Sequence, residues 1–256
     1  MAATPLVDLH DVTKRYGDGP LVLDRVSLAA APGDFISLIG PSGCGKSTLL
    51  RLIAGLSPVT GGSLTIDGRT PEQAAAELAF VFQEPTLLPW LTAAQNVCLP
   101  QKLRGIPADQ RRATGQRVLD LVRLGDRANA HPRQLSGGQK MRVSIARALS
   151  LSPKLLLLDE PFGALDEMTR EHLNEELLAI RQQQAWTAFF VTHSVAEAVF
   201  LSNRIFVMSA NPGRLHAEVA VPLAYPRTEA TRNSPAYHDL VGEVSRLLRS
   251  VDTAAA

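Results

Sequence analysis

The run Gly40-Pro-Ser-Gly-Cys-Gly-Lys-Ser-Thr48 carries the most explicit chemistry in the chain. It satisfies G-x-x-x-x-G-K-[ST], a loop whose backbone N–H groups and following helix N-terminus wrap phosphate oxygens. Gly40, Pro41, Ser42, Gly43, Cys44 and Gly45 would form the cradle, with Cys44 as a small filler. Lys46 would reach the β- and γ-phosphates, Ser47 would ligate Mg²⁺, and Thr48 closes the motif. A second group follows the apolar run Leu155-Leu-Leu-Leu158. A buried carboxylate needs a partner, so the adjacent acids Asp159 and Glu160 at that place imply chemistry. Asp159 suits a Mg²⁺ shell, and Glu160 can polarise an attacking water. Gln83 and His193 each end another apolar run. Ser136, Gly137, Gly138 and Gln139, in Leu135-Ser-Gly-Gly-Gln139, stand directly ahead of a helix and form a second anion-receptive N-terminus; an ordinary capped helix is the alternative.

These residues need elements to position them. Phe35 to Ile39 reads as a short strand, and Lys46 to Ala54 as a helix stopped by Gly55. Ala79 to Phe82 and Thr187 to Thr192 read as buried strands. Four apolar strands therefore end at Gly40, Gln83, Asp159 and His193. Open α/β sheets bind ligands at the carboxyl ends of their strands. The cradle, an amide, two carboxylates and an imidazole are thus expected to converge on one γ-phosphate, with water as nucleophile. The Leu135–Gln139 run belongs to a helical stretch from about Thr92 to Leu149, entered through the proline-punctuated loop Glu84 to Trp90. It need not reach this site from its own chain; a second copy could supply it.

Around this core, Val7 to Val12, Val26 to Leu28 and Ser63 to Asp67 alternate as short antiparallel strands do. Tyr16, in the turn between the first two, could stack on a base or merely cap the small sheet. Thr70-Pro-Glu72 starts an Ala-rich helix. Pro161 to Asp166 turns into a helix reaching about Gln183, and Ser194 with Glu197 spells a capping box. Arg204 to Met208 and Leu215 to Val221 flank Asn211-Pro-Gly213 as an edge hairpin. Asp239 to Leu248 is an amphipathic terminal helix, and the final Thr-Ala-Ala-Ala is expected to fray.

A length of 256 residues fits one large α/β domain with a subdomain, and the formal net charge of +1 argues against a strongly basic nucleic-acid binder. The two cysteines, Cys44 and Cys98, lack metal-ligand spacing, and a disulfide inside a phosphate loop is disfavoured, so a reducing compartment is expected. No apolar run is long enough to cross a bilayer, and Met1-Ala-Ala-Thr lacks a signal-peptide layout. The expectation is a cytosolic protein, unless a partner holds it at a membrane.

Together these motifs, in this order, closely resemble the ATP-binding-cassette (ABC) ATPase family over nearly the whole chain. The resemblance implies an α/β P-loop NTPase core with a mainly parallel sheet, an antiparallel β subdomain and an inserted helical subdomain. On that pattern residues 1–90 and 150–225 form the core and β subdomain, 91–149 the helical insertion, and 226–256 a C-terminal helix and tail. It implies a head-to-tail dimer closing on two ATP molecules with Mg²⁺. Tyr16 would stack on adenine, and Gln83 would sense metal and water. Glu160 would be the catalytic base, and His193 would contact the γ-phosphate. Ser136, Gly137, Gly138 and Gln139 would bind ATP across the dimer, with Asp166 joining the two sites. Glu84 to Trp90, Pro161 to Asp166 with Thr169 and Arg170, Glu197 to Val199 and Ser209 to Arg214 are similar to bacterial importer subunits for nitrate, taurine and alkanesulfonates. Lys140-Met141 replaces the Arg-Gln of many relatives. The implied partners are two membrane permease subunits at the cytoplasmic face of the inner membrane and, indirectly, an extracytoplasmic binding protein, with no nucleic acid. A soluble ABC ATPase acting on DNA or ribosomes is the rival; it would need a long coiled coil or two cassettes with a basic linker. A small-molecule P-loop kinase would leave Leu135–Gln139 unexplained.

Overall fold

The computed structural model describes residues 4–184 and 186–253, so the alanines at 254–256 lie outside the described residues. The chain opens with β1 (Val7–Arg15) and β2 (Leu21–Ala30), runs through β3 (Phe35–Ile39) into α1 (Lys46–Ile53), and returns as β4 (Gly61–Ile66). One turn of helix, α2 (Pro71–Ala74), precedes β5 (Leu78–Val81). Then come α3 (Ala93–Leu103), α4 (Ala108–Leu121) and α5 (Gly137–Leu149). After them β6 (Leu155–Asp159), α6 (Glu167–Gln183), β7 (Thr187–Val191) and α7 (Val195–Leu201) alternate. The hairpin β8 (Arg204–Ser209) and β9 (Arg214–Ala220) leads to α8 (Glu229–Arg232) and α9 (Pro235–Thr253).

Two sheets result. The alternating strands pair antiparallel in the order β2-β1-β4. Val7, Leu9 and Val12 of β1 are all buried, which strict alternation forbids. A bulge at Asp11 (φ 47°), whose N–H meets Ser27 Oγ at 2.8 Å, resets the phase. The apolar runs build the larger sheet, β5-β6-β7-β3-β8-β9, parallel except for β9 at its edge. β3, β6 and β7 are buried along their full length, as strands covered on both faces must be. Leu156, Leu158 and Phe190 face α3 to α7 and α9, whereas Leu155, Leu157 and Phe189 face α1 and the small sheet. Each fully buried Leu or Phe contributes roughly 1.5–3 kcal/mol. Strands held that firmly can carry polar residues at their ends.

Several boundaries differ from the sequence reading. The Ala-rich segment after Thr70 makes only α2 and a 3-10 turn at Ala75–Glu77, because Leu78 must already be extended to pair with Leu155. β5 stops at Val81, leaving Phe82 exposed and stacked on Phe80 with centroids 4.4 Å apart. β7 ends at Val191, one residue early, and α9 extends well beyond the amphipathic stretch at both ends.

Candidate active site

Because β5, β6, β7 and β3 are consecutive parallel neighbours, their carboxyl ends lie along one edge of the sheet. That edge presents Gln83, Asp159 with Glu160, His193 and Gly40. In the phosphate loop, Gly40 has no room for a side chain, since a Cβ would lie 2.5 Å from Met208 O. Gly45 holds φ 93°, and a Cβ there would strike Leu23 Cδ2 at 2.5 Å. Gly45 is also the N-cap of α1 and offers no side-chain cap, which leaves the first N–H groups of the helix for an anion. Lys46 folds back over the loop, donating to Gly40 O at 2.8 Å and Pro41 O at 3.0 Å. Cys44 is buried beneath it, and burial pushes its thiol pKa up.

Ser47 Oγ donates to Asp159 Oδ1 at 2.7 Å, placing a hydroxyl and a carboxylate side by side, as a hard cation requires. Asp159 is buried, and desolvation raises its pKa against the hydrogen bond from Ser47. Glu160 has a left-handed backbone (φ 46°), and its N–H is tied to Val191 O at 3.0 Å. Its Oε2 lies 3.4 Å from Gln83 Nε2 and 3.6 Å from His193 Nδ1. The carboxylate, the amide and the imidazole, each from a different strand end, are thus brought together. A residue strained at such a place is a hallmark of sites that need one fixed geometry.

The remaining predicted residues form separate groups. Tyr16 is 48% exposed in the β1–β2 turn, with Lys14 Nζ 4.6 Å from its ring centroid. Between that turn and the loop lies a cavity of about 410 Å³ lined by Pro20, Leu21, Val22, Gly43, Asn211 and Pro212. Ser136 caps α5: its Oγ accepts from Gln139 N at 3.2 Å while Gln139 Oε1 accepts from Ser136 N at 3.0 Å. Among the described residues no hydrogen bond joins this capping box to the phosphate loop. It stands instead beside the start of α6, where Cβ atoms on Gly137 and Gly138 would meet Leu165 and Thr169. Asp166 caps α6 by accepting from Thr169 N at 3.0 Å, which lowers its pKa. The capping box expected at Ser194 is only half present. Ser194 Oγ accepts from Glu197 N at 3.3 Å, but the Glu197 carboxylate turns away to the Thr192 hydroxyl.

Some supporting residues had no sequence signal. Asn96, fully buried, donates to Leu88 O, Leu91 O and Thr92 O and accepts from Leu88 N, so it shapes the loop after Gln83. Arg147 of α5 bonds Pro85 O at 3.0 Å and Thr86 O at 2.9 Å, linking the helix that Ser136 caps to the same loop. Leu87 packs against the main core, whereas Trp90 is 69% exposed.

A family model described as ABC transporter matches residues 23–163. The chain belongs to the ABC transporter family. As a member it is an ATP-binding ATPase. An aliphatic sulfonates import ATP-binding protein of Bacillus subtilis (strain 168) is 46% identical over 210 residues, 82% of this chain and 81% of that protein. A taurine import ATP-binding protein of Rhizobium johnstonii is 43% identical over 243 residues, 93% of each. Among solved structures, a dimeric ATP-binding cassette in a post-hydrolysis state with ADP and phosphate superposes at a TM-score of 0.76 and 34% identity, covering 85% of this chain and all of that one. The ABC fold and the importer branch expected from the sequence are the ones these relatives carry.

Proposed function

We propose that this ABC ATPase powers uptake of a small compound, nitrate-, sulfonate- or taurine-like, as a head-to-tail pair bound to two permease subunits. The observation that carries the hydrolytic part is Glu160 Oε2 held between Gln83 Nε2 at 3.4 Å and His193 Nδ1 at 3.6 Å. In this reading Tyr16 stacks on adenine, and residues 40–48 hold the phosphates. Lys46 turns from its loop carbonyls toward the β- and γ-phosphates. Glu160 accepts a proton from water, and His193 steadies the γ-phosphate. The donor set Ser47, Asp159 and Gln83, all oxygen-bearing side chains, fits Mg²⁺, which when bound would neutralise charge on the phosphate oxygens. Ser136, Gly137, Gly138 and Gln139 of a second copy cover the triphosphate, and Asp166 links the two sites. Residues 91–149 act as the moving subdomain. The Arg147 bonds to Pro85 and Thr86 then carry its motion to the loop ending at Trp90, the exposed side chain offered to the permease.

No helix among the described residues is long and apolar enough to cross a membrane. Attachment at the cytoplasmic face of the inner membrane therefore rests on the permease, and the extracytoplasmic binding protein selects the cargo. The importer relatives support this reading over nucleic-acid or ribosome remodelling. The test is Glu160→Gln, which keeps the shape and removes the base. ATP binding should persist while hydrolysis falls by about two orders of magnitude or more. Near-normal turnover would sink the general-base assignment.

A further inference from the structure

Behind the γ-phosphate edge lies a buried polar chain that no nucleotide motif accounts for. Arg170, in the first turn of α6, donates through Nη2 to Leu165 O at 3.0 Å, so it grips the bend that ends at Asp166. Its Nε lies 3.9 Å from Glu197 Oε1 on α7. Both atoms are buried, and neither has a hydrogen-bond partner among the described residues. On its other oxygen Glu197 accepts from the Thr192 hydroxyl, and that hydroxyl accepts from Ser194 N at 2.9 Å. Thr192 and Ser194 flank His193, so the carboxylate holds both sides of the turn that aims the imidazole at Glu160.

We propose that Arg170 and Glu197 are positioning residues that form a strut, setting the His193 turn according to where the Leu165–Asp166 bend stands. A buried carboxylate oxygen and a buried guanidinium N–H that face each other unbonded are stabilised by closer approach, because each unmet donor or acceptor is costly. A charge-assisted bond is about 1 Å shorter than the observed separation. A small advance of the first turn of α6 toward α7 closes that gap and pulls on Glu197, and through Thr192 on His193. Burial raises the Glu197 pKa, opposed by the Thr192 hydroxyl, the Arg170 cation and the neighbouring Asn174 amide. The bend at Asp166 is the segment read above as facing the second copy. The strut therefore makes hydrolysis in one site respond to the state of the other; this rests on the proposed roles of His193 and Asp166.

The experiment is steady-state hydrolysis by the assembled dimer against ATP concentration, for Arg170→Ala, Arg170→Lys, Glu197→Gln and the pair Arg170→Ala with Glu197→Gln. Affinity for a fluorescent ATP analogue and melting temperature are measured alongside. We expect kcat to fall roughly tenfold in Arg170→Ala with KM and nucleotide affinity unchanged, a coupling of ordinary size for contacting residues. Cooperativity between the sites should weaken, Arg170→Lys should recover part of the rate, and the double variant should be no slower than the slower single one. Losses that simply multiply, or a raised KM with kcat intact, would overturn the strut. Should Glu197→Gln fail to fold, the Arg170 pair of variants still decides, since that side chain is partly exposed. His193→Ala separates the two ideas. If it stops hydrolysis while Arg170→Ala runs at full rate and cooperativity, only the strut is lost; if His193→Ala hydrolyses normally, the γ-phosphate reading falls.

Discussion

Gly213 lies outside every nucleotide-binding motif, yet a Cβ there would sit 2.1 Å from Cys44 O and 2.9 Å from Val22 O. Its own backbone is bonded to the same neighbourhood, with Gly213 N on Val22 O and Gly213 O receiving Asp24 N, both at 2.9 Å. The contacts are backbone, so no side chain can swing aside to admit a methyl. Gly213→Ala should displace the phosphate loop and store roughly 1–3 kcal/mol of strain in it. ATP affinity should then fall roughly five- to hundredfold in a binding titration, although the residue touches no phosphate. Unchanged affinity would show that the loop is held from its other side. This role was invisible in the sequence, where Asn211-Pro-Gly213 reads as a hairpin turn inside a stretch similar to importer subunits, with no sign of contact with the phosphate loop. Lys46 and Ser47 stand out in the sequence through the spacing of the glycine motif, and Asp159, Glu160 and His193 through their place at the end of an apolar run, where a polar residue has no packing reason to be. Asn96 and Arg147 had no such signal, because their partners are mostly main-chain groups, and any sequence supplies those.

At the scale of elements, apolar runs gave the buried strands and their shared edge, while the ends of elements were set by partners distant in sequence. The short α2 is the clearest case: helix propensity favoured continuing through the alanines, and pairing of Leu78 with Leu155 stopped it. What fastens that junction is Glu77, which meets Arg69 Nη1 at 2.9 Å and Lys154 Nζ at 2.8 Å. These two cations hold its carboxyl at about 2, below the ordinary 4.5. A depressed carboxylate contributes stability that is complete above its unfolded value and is lost as pH falls through the folded one. The melting temperature of the native chain should therefore exceed that of Glu77→Gln above pH 4.5, with the gap closing as pH falls toward about 2. The group is partly exposed, so added salt should shrink the gap as well. A difference independent of both pH and salt would assign the effect to packing rather than charge.

For the whole molecule, the decisive question is where the capping box at Ser136 does its work. Within one chain Ser136 and Gln139 bond each other and stand beside the start of α6, apart from the hydrogen bonds of the phosphate loop. If a second copy brings them to the triphosphate, each site is composite: one chain's Lys46 with the other chain's Ser136. Two variants then separate the arrangements. Lys46→Ala removes the phosphate cation, and Ser136→Glu places a negative charge where an anion should bind; each should be inactive alone. When the two are mixed, every mixed dimer pairs the intact Lys46 of one chain with the intact Ser136 of the other in one of its two sites. Random exchange at equal amounts puts half the dimers in this form, so about a quarter of the sites become complete. ATP hydrolysis, measured at concentrations where the pair forms, should return toward that fraction. A site closed within a single chain cannot be repaired by mixing, because every chain carries one lesion. Recovery therefore requires the head-to-tail pair, and a mixture as inactive as its components would place the helix N-terminus at Ser136 outside the catalytic unit.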